Sequence, residues 1–351
     1  MSLIKIKIKV KEIELMNAID NNKIQTQIYH RLIALWIICE AFAGGLMHGF
    51  KVPFSGLIIS SLAIICITLI AYFVPEKSAI IKATIIVAIF KLMLSPHSPG
   101  TAYIAVFFQG FLGHFLFKNK KYFGTAAILL GILGAVESSI QRLLVLVIVY
   151  GNTFWKALNV YINKLTGEQH ISNYSLYLAI AYVIIHAIVG FIIGVYGFKI
   201  ARNAHEWKIK YPDLKIETLE PYRIDMMHAK KKTNLLKWIL FACWLLLVSL
   251  YAYSWIYPNE VSIPKEEIVG ILIRSTILII SWYLIVGPLF FRVIKRYLER
   301  RKIQEGETIT AVTTLLPDMS AIFIGSWKIS GNQNGLQRYK RFVKILIINT
   351  I

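Results

Sequence analysis

The sequence predicts an all-α, polytopic membrane helix bundle with about eight transmembrane helices, arranged as a six-helix unit followed by two more, and with both termini cytoplasmic. Three observations support this prediction. Hydrophobic residues make up 56% of the 351 residues, and the mean hydropathy of +0.59 is too high for a soluble domain of this length. The apolar residues form runs of about 20, the length that a helix needs to cross a bilayer. Lysine and arginine are concentrated in alternate loops between these runs.

The apolar runs predict the spans in order along the chain. The third run carries Lys82 and Lys91, and the fourth is short for a crossing. The fifth is long, so we expect it to be tilted or to continue as a helix beyond the bilayer. The predicted spans cover residues 31–50, 53–73, 78–95, 101–118, 123–150, 175–199, 234–256 and 267–291.

The loops indicate the orientation. With the N-terminus inside, the cytoplasmic segments contain most of the basic residues, including the cluster at 118–121 and the stretch 199–237. The outer loops hold only Lys51, Lys156, Lys164 and Lys265. This asymmetry follows the positive-inside rule and is typical of a multi-pass protein of a bacterial inner (plasma) membrane. It also accounts for the net charge of +20 without a nucleic-acid partner, so membrane lipid is the expected surrounding.

The spans and the segments that connect them divide the chain into five predicted parts. Residues 152–168 inside the membrane domain read as an outer amphipathic helix with Phe154, Leu158, Tyr161, Ile162 and Leu165 on one side. The tail is expected to be helical with a break at Gly331–Gly335. The parts are an N-terminal cytoplasmic segment (1–30), a six-helix membrane domain with an outward-facing pocket (31–199), a basic cytoplasmic loop (200–233), a two-helix membrane extension (234–291) and a basic cytoplasmic tail (292–351).

Polar side chains within the apolar runs are the candidates for function. A charge at bilayer depth costs several kcal/mol by most estimates, so such a residue usually faces a polar cavity or a partner. His97 lies in a loop that Pro96 and Pro99 make rigid, and Lys91 is up to two turns away, so both are expected at a cavity mouth. The candidate ligand contacts are Lys91, His97, Gln109, Glu137, Gln141, Arg142 and His186.

The fifth predicted helix has the densest polar group and leaves two interpretations open. Glu137 and Gln141 are four residues apart and share a face, whereas Arg142 lies about 140° around the helix from Glu137. One interpretation is a structural ion-pair network with Glu40 or His186. The other is a ligand site in which Arg142 or Gln141 binds an anionic or amide group.

The first predicted helix has small residues beside an acid. Glu40 precedes Ala41, Gly44 and Gly45, and small residues let another helix approach closely. We expect this face to pack against a helix of this chain or of a separate subunit. The Gly190 and Gly194 pair of the sixth helix is expected to serve packing as well.

Several motifs are absent from the sequence, which limits the possible functions. It contains no phosphate-binding glycine loop, so ATP-driven work requires a separate ATPase. Neither a metal site nor a cofactor is predicted, and no complete catalytic motif is present, so the chain is not expected to be an enzyme. The segment from Glu137 to Arg142 resembles the EExxxR motif of CPBP-type intramembrane proteases. Ser138 replaces the second glutamate, however, and this removes the acid or base partner for hydrolysis.

Two stretches resemble the substrate-binding S component of energy-coupling factor (ECF) transporters. One is the small-residue-rich first helix leading into Gly49–Leu57, and the other is Ser98–Tyr103 leading into a helix with Gln109 and Gly110. The resemblance covers residues 31–199 and implies six helices, an outward pocket for a vitamin-like or metabolite solute, and contact of the first helix with a transmembrane coupling subunit that works with cytoplasmic ATPases. The chain departs from the family by lacking a regular Ala-x-x-x-Ala pattern and by its two extra spans and tail.

The sequence therefore supports a small-solute binding subunit of an uptake transporter as the first hypothesis. The alternatives are a membrane scaffold or assembly factor, in which the polar groups only hold helices together, and an intramembrane hydrolase that uses Glu137.

Overall fold

The structure is a computed structural model, and it describes residues 22–43, 55–95, 98, 100–166, 173–216 and 276–351, together with 241–242, 244–245, 249, 256 and 273. Every regular element within these ranges is helical, so the predicted all-α class is confirmed.

Nine helices organise the described ranges. The first, α1, covers 22–37 and continues as a π-helical turn, Ile38–Ala43. Short 3₁₀ turns at Lys120–Tyr122, Pro212–Leu214 and Ser330–Asn332 precede or follow the longer elements. The other helices are α2 (Ser55–Phe73), α3 (Ala79–Leu94), α4 (Gly100–Leu116), α5 (Phe123–Thr166), α6 (Tyr174–Lys210), α7 (Thr276–Gln304, π-helical at Trp282–Val286), α8 (Gly306–Ile329) and α9 (Gly335–Thr350).

Five stretches of the described chain are long and apolar enough to cross a membrane: Ser55–Phe73, Lys120–Val149, Tyr174–Lys210, Thr276–Gln304 and Gly306–Asn332. These helices make the chain an integral membrane protein by length and composition. The predicted count of eight is not confirmed, because α3 and α4 have only 16 and 17 residues and the predicted spans 31–50 and 234–256 extend outside the described residues.

The helices alternate in direction, and their basic residues gather at one end of the bundle. The turn from Phe73 to Ala79 and the turn from Leu116 to Phe123 lie at this end, since Tyr72 contacts Phe123 with a ring separation of 5.4 Å. Phe123 also contacts Phe198 of α6, so the last turns of α6 reach the same end. We call it the basic end because Lys77, Lys82, Lys118, Lys120, Lys121, Lys208, Lys210 and Lys215 lie there.

Helix α5 bends at Gly151, the residue where the predicted fifth span and the amphipathic helix meet. Gly151 has φ 67° and ψ −169°, a left-handed conformation that glycine adopts without a Cβ clash. The segment after the bend packs on the start of α6, where the Asn159 side chain accepts a hydrogen bond from the Ser175 amide at 2.7 Å. On this segment Tyr161 and Leu165 are exposed, whereas Asn159 and Asn163 are buried. The predicted apolar side therefore faces away from the chain, as on a helix that lies at the membrane interface.

Helix α7 runs without a break through residues 291 and 292, where the predicted extension ends and the predicted tail begins. Phe290 fills the space beside Gly100, and the ring of Phe291 meets that of Tyr103 at 5.7 Å. Tyr297 contacts Phe107, which lies about one turn after Tyr103 on α4. The chain after the predicted loop at 200–233, whose residues 200–210 belong to α6 in the structure, therefore packs directly on α4 of the first six helices.

Helix α8 lies across the basic end instead of crossing the bundle, although it is apolar enough to span. Glu305, just before it, is within electrostatic range of Lys82 at the start of α3. Near its other end, Gly325 lies beside Ile216, six residues after the end of α6. A Cβ added at Gly325 would be 3.4 Å from the Ile216 side chain. The buried positions have a helical period, and up to residue 318 most of the exposed ones are polar. The buried positions include Ile309, Val312, Leu316 and Met319, and the exposed ones include Glu307, Thr314 and Asp318.

The last helix, α9, is tied to the end of α6. Asn349 accepts a hydrogen bond from the Ile216 amide at 2.8 Å and donates to the Leu214 carbonyl at 2.9 Å. Lys208 donates to the Ile351 carbonyl at 2.7 Å. The predicted break at Gly331–Gly335 is confirmed, because α8 ends at Ile329 and α9 begins at Gly335 with φ 57°.

The second half of α1, residues 32–40, is enclosed by this chain. The side chains from Leu32 to Glu40 are at most 4% exposed, and the Tyr29 hydroxyl donates to the Ala79 carbonyl at the start of α3. The π-helical turn contacts both α2 and α3. Within its described part, the first helix therefore packs against its own chain, and residues 32–40 present no exposed face to a separate subunit.

Candidate functional site

A cavity of about 520 Å³ lies between the helices at the end opposite the basic end. It is bounded by the first turns of α2 and α4, the last turns of α3, and the middle parts of α5 and α6. Its polar lining is Glu40, Ser55, Ser60, Lys91, Thr101, Gln109, Ser138, Gln141, Arg142, Tyr182 and His186.

The innermost charges of the cavity form a buried ion pair. Lys91 Nζ of α3 lies 2.6 Å from Glu40 Oε2 of the π-helical turn, and both side chains are 4% exposed. The ring of Tyr103 lies 6.0 Å from the same ammonium group. Because both groups are removed from water, either charge alone is costly to bury, and their attraction offsets part of that cost. The pair therefore ties α1 to α3 and contributes no net charge to the cavity.

The amide of Gln109 connects three helices next to this pair. Its Nε2 donates to Ser60 Oγ of α2 at 2.8 Å, and Ser60 Oγ donates to the Gly134 carbonyl of α5 at 3.2 Å. Gln109 is 1% exposed, and its Oε1 has no hydrogen-bond partner among the described residues. A buried amide oxygen without a donor is costly, so this atom is a candidate acceptor for a ligand hydroxyl or N–H group.

Helix α5 forms another wall, and its polar lining residues are Ser138, Gln141 and Arg142. The Gln141 amide donates to the Glu137 carboxylate one turn earlier, which satisfies one of the two carboxylate oxygens. Arg142 lines the cavity and is exposed. Within the described ranges its guanidinium is in no ion pair. It is therefore the one lining cation without a carboxylate partner in the part of the chain that the structure describes.

Helix α6 contributes an aromatic pair. His186 is 1% exposed, its Nδ1 lies 2.9 Å from the Tyr182 carbonyl, and the two rings are 4.2 Å apart. This contact holds the imidazole in place, with one face toward the cavity lining.

The charges of the lining sum to a positive value. Glu40 and Lys91 cancel, which leaves Arg142 as the uncompensated charge among the described lining residues. Apolar side chains from α2 and α5, including Ile59, Val145, Leu146 and Val149, make the remaining walls. The arrangement suits a small molecule with one anionic group, a hydrogen-bond donor and an apolar body.

The structure brings together most of the residues that the sequence singled out. Lys91, Gln109, Gln141, Arg142 and His186 line the same cavity, and Glu137 adjoins it through Gln141. Glu40, expected to pack against a partner helix, lines the cavity and pairs with Lys91. Ala41 belongs to the π-helical turn, whereas His97, Gly44 and Gly45 lie outside the described residues.

Some lining residues were not singled out from the sequence. Ser55, Ser60, Thr101 and Ser138 give little signal, because hydroxyls in membrane helices often bond to their own backbone. Tyr182 is four residues before His186, so the spacing of the two residues indicates a shared face. The pairing of Glu40 with Lys91 had no sequence signal, since 51 residues separate them.

Replacing Ser60 with alanine tests the three-helix hydrogen-bond network. We expect Ser60→Ala to lower the free energy of unfolding by about 1–2 kcal/mol, because it leaves both polar ends of the buried Gln109 amide without partners. Ser61→Ala is the matched control, since the Ser61 hydroxyl bonds only to the Leu57 carbonyl of its own helix at 2.7 Å. Melting curves in detergent compare the two variants, and equal shifts contradict the network.

Comparisons of the chain with protein-family models, with curated proteins and with solved structures give no match. The resemblance to ECF S components therefore stays a prediction from the sequence.

Proposed function

We propose that this integral membrane protein is the solute-binding subunit of an uptake transporter of the ECF type, and that its cavity binds a small, vitamin-like or metabolite monoanion. One observation carries the proposal. The guanidinium of Arg142, which forms no ion pair within the described residues, and the buried Oε1 of Gln109, which has no hydrogen-bond partner there, line the same cavity between membrane helices. Intramembrane polar groups of this kind usually mark a solute pathway.

The orientation follows from the distribution of charge. If the basic end is cytoplasmic, as the positive-inside rule requires, the cavity lies toward the outer face, where a solute enters for uptake. A bacterial inner membrane is the proposed location.

The roles of the lining residues follow from their chemistry. Arg142 offers two parallel N–H groups to a carboxylate, a geometry that lysine does not provide. Gln141 and Gln109 select hydrogen-bonding groups on the solute. His186 and Tyr182 form an aromatic wall, and Lys91 is held by Glu40, so its role is to set the shape and polarity of the cavity.

Energy coupling is proposed to come from partner proteins. A transmembrane coupling subunit and cytoplasmic ATPases are the partners that the resemblance implies. Because residues 32–40 of α1 are buried in this chain, such a subunit needs a docking surface other than these residues.

The scaffold alternative is supported by the same ion pair and by the Gln109 network, which hold α1, α2, α3, α4 and α5 together. A hydrolase with Glu137 as the base has less support. Gln141 occupies one oxygen of that carboxylate, and Glu40, the carboxylate that lines the cavity, is neutralised by Lys91.

Replacing Arg142 with glutamine is the direct test of solute binding. We expect Arg142→Gln to lose the small molecule that co-purifies with the wild-type protein. The melting temperature of the solute-free protein is expected to change by only about 1–2 °C, because the side chain is exposed and forms no ion pair within the described residues. Native mass spectrometry of protein purified in a mild detergent measures the retained solute.

Arg202→Gln is the matched control, since Arg202 is exposed on α6 near the basic end. Retention of an anionic solute by this variant and its loss from Arg142→Gln support the proposal. A wild-type protein that carries no small molecule but co-purifies with another polypeptide contradicts it and favours the scaffold.

A further inference from the structure

A second cavity lies at the basic end, between the chain that follows α6 and the last helix. Its volume is about 680 Å³, and it is bounded by the 3₁₀ turn at Pro212–Leu214, the end of α8 and the first turns of α9. We call it the tail groove. It is lined by Tyr211, Asp213, Gln333, Lys340, Arg341 and Lys344, with Leu214, Ile329 and Gln337 beside them.

Three cations converge on the tail groove against a single acid. Lys340, Arg341 and Lys344 all line it, and no carboxylate among the described residues forms an ion pair with any of them. Arg341 and Lys344 are partly buried. Partly buried cations that repel one another are costly unless an anion joins them.

The groove holds these cations in a fixed place. Lys344 Nζ lies 4.1 Å from the centre of the Tyr211 ring, and Tyr211 is positioned by the end of α6. The hydrogen bonds of Asn349 to Leu214 and Ile216 fasten the other side of α9 to the same segment. The basic side chains are therefore part of a built surface instead of a freely moving tail.

We propose that the tail groove binds the phosphate group of an anionic phospholipid. Phosphate is the anion that suits this lining, because Arg341 can bind two of its oxygens, the lysines add point charges, and the amides of Gln333 and Gln337 supply further N–H donors. Asp213 is the one acidic residue among the described lining residues, so the groove has a net charge of +2, an excess of positive charge that attracts the singly charged phosphodiester of a phospholipid.

Exposed apolar residues beside the groove favour a lipid over a free phosphate. Ile329 lines the groove and is 40% exposed, and Leu336, at the start of α9, is 71% exposed. Trp327 and Tyr339 pack together at 5.7 Å and are also exposed. Cations next to exposed aliphatic and aromatic side chains are typical of a helix at the membrane interface. The acyl chains are expected to lie against these residues. This inference goes beyond the proposed function and does not depend on it.

The test is a lipid titration of the full chain in a non-ionic detergent, followed by native mass spectrometry. The probes are dioleoyl-phosphatidylglycerol, dioleoyl-phosphatidylcholine and inorganic phosphate. We expect the triple variant Lys340→Gln, Arg341→Gln, Lys344→Gln to bind phosphatidylglycerol about tenfold to a hundredfold more weakly than the wild type. The matched control is Lys118→Gln, Lys120→Gln, Lys121→Gln, which removes three exposed cations from another turn at the same end.

Weaker binding of phosphatidylglycerol in the groove variant alone, with little binding of phosphatidylcholine, supports the proposal. Equal weakening in both triple variants overturns it, because the attraction is then due to the charge of the whole basic end. Displacement of phosphatidylglycerol by inorganic phosphate at a similar concentration also overturns it, since the groove then binds a free phosphate. A melting curve of each variant confirms that the compared proteins are folded.

Discussion

Replacing Lys91 with methionine lowers the free energy of unfolding by about 3–5 kcal/mol, the cost of leaving one partner of a buried ion pair without the other. In this variant the Glu40 carboxylate stays in a site where it is 4% exposed and has lost the ammonium group 2.6 Å away. We expect a fall of about 5–10 °C in the apparent melting temperature in detergent.

The double variant Glu40→Gln, Lys91→Met separates the lost attraction between the two charges from the desolvation cost of the charge that remains. Removing both charges removes the desolvation cost, so we expect the double variant to recover most of the lost stability. A double variant that is as unstable as the sum of the two single variants contradicts the assignment, because the pair then does not interact.

An exposed ion pair in the same chain serves as the control. Lys82 and Glu76 are 2.7 Å apart, close to the distance of the buried pair, but they are 41% and 47% exposed. The hydrogen bond from Lys82 holds the pKa of Glu76 below its ordinary value. Because water solvates both groups, Glu76→Gln is expected to cost less than about 1 kcal/mol. Burial, and not distance, then explains the difference between the two pairs.

Replacing Gly131 or Gly190 with alanine is the second change with a large expected effect. The two glycines lie where α5 and α6 cross, and a Cβ on Gly131 would sit 2.2 Å from the Gly190 carbonyl oxygen. A Cβ on Gly190 would meet the Gly131 carbonyl oxygen at 2.3 Å. The atoms in the way belong to the backbone, so only separation of the helices makes room. We expect a loss of about 3 kcal/mol for either variant.

Gly124→Ala is the matched control for this prediction, because it makes the same substitution in the same helix. Its Cβ would lie 3.6 Å from the Phe198 ring, an ordinary contact. Because alanine has a higher helix propensity than glycine, Gly124→Ala is expected to stabilise the protein by up to about 1 kcal/mol. Melting curves that shift equally for Gly131→Ala and Gly124→Ala contradict the close crossing.

This crossing shows how far the sequence predicts packing. The four-residue spacing of Gly190 and Gly194 predicts a small-residue face on α6, and the structure confirms that both residues lie against α5. The partner residues on α5, Gly131 and Ala127, were not predicted. A spacing tells which residues share a face of one helix, but it contains no information on the helix that meets this face.

The sequence also predicted the candidate site only in part: it indicated the polar residues but not their partners. Polar side chains in apolar runs are rare and costly, so the sequence alone points to Lys91, Gln109 and Arg142. Whether a charge is compensated depends on its neighbour in another helix. Lys91 is neutralised by Glu40, whereas Arg142 is not paired within the described residues, and because of this difference we propose Arg142 as the ligand contact and Lys91 as a residue that stabilises the fold.

The sequence by itself determined that this protein is helical and embedded in a membrane, and where the chain breaks, because hydropathy, run length and glycine positions act locally. The tertiary structure alone decided that α8 lies across the basic end, although its composition is apolar enough for a span. It also decided that the second half of α1 is enclosed and that Glu40 pairs with Lys91. The physical reason is that these features are contacts between segments far apart in the chain, and their energies depend on burial and neighbours that no local pattern records.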